Sequence, residues 1–186
     1  MNMEFSRFKI LVDKYYKNDC RELNFQNRIL IPFLESLICE KYEVVDSSHL
    51  YKNWKNINRE TFAGQYTPDV LVVEEWDLFK EDKQSPLVIT GVKRPTADDR
   101  KHAENEVKEY LEKAEYVILT DCITWEIYQK NIETVYFYLD KDENGVCKQS
   151  ATIMRKERRV NWIDDTISGN DWEKLNNKII DIINGL

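Results

Sequence analysis

The chain is poor in the residues that break up a fold. Only 5 glycines and 4 prolines occur in 186 residues, which excludes a collagen-like or low-complexity chain and argues against a loop-rich one. Long apolar runs are also missing: nothing approaches the ~20 residues that a membrane-spanning helix needs. Cysteine is scarce and scattered. Cys20, Cys39, Cys122 and Cys147 form no CxxC pair and only 2 histidines accompany them, so neither a structural zinc site nor a disulfide scaffold is expected. A basic balance is absent too. The net charge of −7 rules out coating nucleic acid by bulk charge, and any contact with DNA must come from a local basic surface or through a partner. The opening "MNMEFSRFKILVDKYYK" is charged throughout and lacks the apolar core of a secretory signal, so a cytoplasmic protein is expected.

What the chain does contain is periodicity. With 42% hydrophobic and 33% charged residues it reads as a globular protein with a real core. Phe5, Phe8, Leu11, Val12 and Tyr15 recur at helical spacing. A second helix is expected from about Arg21 to Glu40, with Phe25, Ile29, Phe33 and Leu37 every four residues and a kink at Pro32. "YEVVD", the apolar run Val70–Val73 and "PLVITGVK" read as strands, and residues 47–66 as a long polar and aromatic connection. The segment "TADDRKHAENEVKEYLEKA" is the clearest helix, with Thr96 as N-cap and an apolar face of Ala103, Val107, Tyr110, Leu111 and Ala114. "YVILTD", "TWEIYQ" and "TVYFYLD" are further strands, and "NDWEKLNNKIIDIINGL" is an amphipathic terminal helix. The order predicts a mixed α/β domain over 1–186, with a core of about 22–139 and a C-terminal helical extension of about 155–186.

One strand end stands out. In "PLVITGVKRPT", Val88, Ile89 and Val92 ask for burial, yet the strand ends on Gly91 and Lys93. Side chains alternate along a strand, so positions 91 and 93 share a face, and Lys93 shares it with a residue that has no side chain. Pro68-Asp69 opens the preceding strand, so Asp69 and Lys93 can approach at one end of the sheet.

This layout resembles the PD-(D/E)xK nuclease superfamily, in particular the N-terminal nuclease domains of type I restriction endonuclease subunits and small phage-defence relatives. The resemblance covers roughly Glu22 to Tyr128 and rests on "ELNFQNRILIPFLESL", "TPDVLVV", "VITGVKRPT" and "EYVILTDCITWEIY". It implies a restriction-endonuclease-like mixed central sheet flanked by helices, and hydrolysis of DNA phosphodiesters dependent on Mg²⁺ (or Mn²⁺). In that family the Asp of the Pro-Asp pair and an acid two residues before the lysine hold the metal. The matching positions here are Asp69 and Gly91. The backbone carbonyl of Val92 would add a ligand, Glu22 on the opening helix would support the metal, and Lys93 would position the attacking water.

The departure lies at Gly91, where the family carries an acid. Three explanations stay open. The acid has been lost from an active parent; or it has moved to Glu106 on the following helix, in line with His102 and Tyr110; or the chain is a non-catalytic pseudo-nuclease that binds DNA or a protein. On the first and third the chain is slow or dead. Simpler readings stand beside these. Gly91 can mark a bulge or a close backbone approach. Lys93 and Arg94 can be an exposed strand end, and Glu22 a first-turn acid that suits the helix dipole. Glu106, among Glu104, Glu109 and Glu112, reads as a solvated acid, His102 as a surface residue and Tyr110 as core. For DNA contact the candidates are Arg94, the run Arg155, Lys156, Arg158 and Arg159, and Lys52 with Lys55 beside Tyr51 and Trp54. Cutting both strands of a duplex favours a homodimer or a subunit of a larger defence complex. No stacking motif favours RNA over DNA.

Overall fold

The computed structural model describes residues 2–48, 66–77, 85–93, 103–141 and 160–185. Helix α1 (Phe5–Asn18) buries Phe5, Phe8, Val12 and Tyr16, the stripe expected of a 3.6-residue period. The next helix runs in three pieces: α2 (Glu22–Phe25), a π-helical segment (Gln26–Leu30) and α3 (Ile31–Leu37). Pro32 explains the change of winding. Proline has no N–H to give, and its ring clashes with the carbonyl four residues back, so the preceding turn widens. The helix stops at Leu37 rather than Glu40, because Ile38 is already extended (ψ 152°) while its N–H still reaches the Leu34 carbonyl at 3.1 Å.

Six strands follow the order in which they occur: β1 (Glu43–Asp46), β2 (Val70–Val73), β3 (Val88–Val92), β4 (Tyr116–Thr120), β5 (Thr124–Gln129) and β6 (Ile132–Tyr138). All neighbours are antiparallel except β3 and β4, which run parallel and are joined through α4 (Ala103–Tyr110). A parallel pair needs such a crossover, because a tight turn cannot return the chain to the same end. The last helix, α5 (Asp171–Asn184), is capped by the Asn170 side chain, which accepts from the Glu173 N–H, and closes on Gly185 at φ 71°. This is a mixed α/β arrangement, a mostly antiparallel sheet flanked by helices.

Both sheet faces are covered, which is why β2 and β3 read as continuous apolar runs without alternation. One face carries Val70, Val72, Val88, Val92, Ile118, Trp125 and Ile127 against α1, α2, α3 and α5. At its aromatic centre Phe33 meets Trp125 edge-on at 5.4 Å and lies tilted against Trp172 of α5 at 5.2 Å. The other face carries Leu71, Val73, Ile89 and Val117 against Val107 and Tyr110 of α4. Asp69, Gly91 and Lys93 alternate in step with Leu71 and Ile89, so they belong to this second, α4-covered face. Among the described residues no helix is long and apolar enough to cross a membrane.

Candidate active site

The site is built where β2 begins and β3 ends. The pairing Val70 with Thr90, continued by one residue, sets Asp69 opposite Gly91. Asp69 is held on every side. Its N–H donates to the Thr90 carbonyl at 3.1 Å, and its carbonyl accepts from the Ser47 N–H at 3.0 Å. The Ser47 hydroxyl holds the neighbouring Pro68 carbonyl at 2.9 Å. The same Asp69 carbonyl also accepts from the side-chain amide of Gln26 at 3.0 Å. The side chain itself accepts at Oδ2 from the Val92 N–H at 2.6 Å.

Gly91 lies in unbroken register with Leu119 of β4, and its φ is not positive. There is accordingly no bulge and no conformation that demands glycine. A Cβ added at 91 would meet the Leu119 Cδ1 methyl at 3.2 Å and Lys93 Cε at 4.0 Å. The near neighbour is the end of a side chain rather than backbone, so a side chain at 91, on the face of Asp69 and Lys93, asks Leu119 to give way by a few tenths of an ångström. The close-approach explanation for this glycine does not hold.

Lys93 is no exposed strand end. Its backbone N–H donates to the Thr120 carbonyl at 2.8 Å, and its Nζ donates to Glu106 Oε2 at 2.7 Å. The two side chains are only 15% and 23% exposed, so this is not a loose surface pair. Glu106 is therefore not the solvated acid that its glutamate-rich neighbourhood predicts; helix α4 turns it toward the sheet. Tyr110, one turn on, is core as expected and meets the Tyr66 ring edge-on at 6.3 Å.

Electrostatics tie these groups together. Burial pushes the Asp69 carboxyl up to about 6, against the lowering effect of the Val92 N–H and the Lys93 charge. Glu22 and Glu106 push in the same direction as burial, so Glu22, at the start of α2, lies within electrostatic reach of Asp69. Asp69, Gly91, Lys93 and Glu106 thus meet, with Glu22 nearby. Val92 enters through its amide. Arg94, His102, Lys52, Lys55, Arg155, Lys156, Arg158 and Arg159 lie outside the described residues, as does the Thr96 cap.

The donor set does not fit Mg²⁺. That ion asks for near-octahedral oxygen ligands at ~2.0–2.1 Å, usually with at least one or two carboxylates free to face it. Here one oxygen of Asp69 is engaged by an amide, Glu106 is engaged by Lys93, and position 91 offers no carboxylate. Among the described residues no group of three or more His, Cys, Asp or Glu side chains could hold a metal ion.

Sequence reading missed Gln26 and Ser47, the residues that fix Asp69. Gln26 is 2% exposed, and its amide also reaches Asp46 Oδ1 at 2.8 Å and Ser48 Oγ at 3.3 Å. The available signal was weak: Gln26 follows Glu22 by one helical turn, but Asn27 and Arg28 also lie between the buried Phe25 and Ile29.

No family model matches the sequence, and no curated protein matches it. Among solved structures the chain is similar to the type IIG restriction endonuclease BpuSI, at 19% identity and a TM-score of 0.34, over 98% of this chain. The chain spans about 17% of the length of that enzyme.

Proposed function

We propose that this end of the sheet is a nuclease-type site for phosphodiester hydrolysis that lacks one of its acids, at position 91. The observation that carries the reading is the convergence of Asp69, Gly91 and Lys93 on one face of adjacent strands. The backbone at 91 is regular, and a side chain there asks only the buried Leu119 methyl, 3.2 Å from the new Cβ, to give way by a few tenths of an ångström. Hydrolysis of a phosphodiester adds negative charge to the phosphate, and a fixed ammonium such as Lys93 is the kind of group that stabilises it. Asp69, pinned through its backbone and one oxygen, keeps its other oxygen for the reacting centre. DNA is the proposed substrate, and a homodimer or larger defence assembly the proposed context for cutting both strands.

The chain as written is read as inactive, since the acid that would complete the site is absent at position 91. The test is plasmid cleavage with Mg²⁺ or Mn²⁺ by the unaltered chain, Gly91→Glu and Glu106→Ala. Gain of cutting by Gly91→Glu supports the reading. Cutting by the unaltered chain that Glu106→Ala abolishes would instead mean that the acid has moved to α4. A second reading, a non-catalytic module that binds DNA or protein, draws on the Lys93–Glu106 pair, which leaves both groups engaged with each other. It expects no cutting from any of the three.

A further inference from the structure

We infer that the Lys93 ammonium is the resident cation of this site: it balances Glu106 and Asp69 in the place of a divalent ion and closes the site of this chain to metal. The inference builds on the reading above, that an acid is missing at 91. Asp69, Glu106 and Glu22 gather negative charge at a part-buried end of the sheet, and among the described residues Lys93 is the cation that acts on Asp69. Its Nζ sits 2.7 Å from Glu106 Oε2, with both side chains largely removed from water. A divalent ion could use Glu106 only by breaking that pair, and no carboxylate at 91 compensates for the loss. Breaking one partner from a part-buried pair is costly, because the other charge is left unbalanced. The same logic predicts the reverse. If the ammonium is deleted while its stem is kept, Asp69 and Glu106 face each other uncompensated, and the site then needs a cation from solution.

The experiment is thermal unfolding of the unaltered chain, Lys93→Met, Lys93→Met with Asp69→Asn, and Gly91→Glu, each titrated with Mn²⁺. The unaltered chain should show no saturable rise in Tm. Lys93→Met should melt lower without metal and regain about 5 °C at saturating Mn²⁺, a gain that Asp69→Asn removes. If Lys93→Met does not fold alone, refolding from denaturant with and without Mn²⁺ reads the same effect. A saturable, Asp69-dependent rise in the unaltered chain overturns the inference. So does a Lys93→Met chain indifferent to Mn²⁺. The Gly91→Glu arm reports on the nuclease reading separately: a response there with none in Lys93→Met sinks only the present inference. A response in Lys93→Met with none in Gly91→Glu upholds it and counts against the missing acid.

Discussion

Asp69 is a carboxylate that its surroundings do not favour. Its proton is held up to about pH 6, mainly by burial, whereas the unfolded chain releases it near the ordinary 3.8. Between those values the folded state binds more protons than the unfolded state, so this residue makes stability fall as pH rises through that window. Above about pH 6 the penalty is constant, and below about pH 4 it vanishes. Asparagine can still accept from the Val92 N–H but carries no charge. Asp69→Asn should therefore stabilise the protein by about 1–3 kcal/mol at pH 8 and by nothing near pH 4, measured by denaturant unfolding at both values. A pH-independent difference would mean that the carboxyl is not desolvated. Some of this site was legible in residue types alone. The Pro-Asp pair and the spacing from Gly91 to Lys93 fix two strand ends and a shared face, because strand alternation is local geometry. The partner of Lys93 was not legible. Five glutamates lie between positions 104 and 115, and only the packing of α4 on the sheet selects Glu106 among them.

At the scale of elements, the π-helical segment is what couples the opening helix to the site. It carries Gln26 inward, and the Gln26 amide joins α2 to β1 through Asp46 and to the start of β2 through the Asp69 carbonyl. Gln26→Leu should cost about 1 kcal/mol, since it removes the side-chain hydrogen bonds that tie this segment to Asp46 and to the Asp69 carbonyl, both of which keep a second donor. In a Gly91→Glu background it should also lower cleavage beyond what the stability loss explains, because Asp69 loses one of the two donors that hold its carbonyl. Ser36→Ala is the control: its hydroxyl accepts from the Met3 N–H at 3.0 Å, away from the site. Equal cleavage by the two variants would reduce Gln26 to a structural clamp. Strands and helices were readable here because burial on both faces or on one stripe writes itself as runs or as a 3.6-residue period. Pro32 announced an irregularity, but not that it would be absorbed as a wide turn upstream, since that choice depends on where Gln26 finds its acceptors.

For the molecule as a whole, α5 shares one core with the opening helices. Leu175, Ile179, Ile182 and Ile183 belong to the same cluster as Phe8 and Phe33, and the Trp172 ring lies 4.8 Å from those of Phe5 and Phe8. The order of elements marked about 155–186 as an extension of the core, and its described part, 160–185, contains this helix. Trp172→Ala, at a half-buried ring, should cost about 2–3 kcal/mol and melt the protein in one cooperative transition, followed by calorimetry. Two separate transitions would show that the last helix is an independent appendage. The central claim concerns the other end of the sheet, and supercoiled-plasmid cleavage in Mg²⁺ by Gly91→Glu, compared with Gly91→Glu combined with Asp69→Asn, tests it most directly. The account predicts nicking by the first and none by the second. Equal cleavage by both, or none by either, would contradict it.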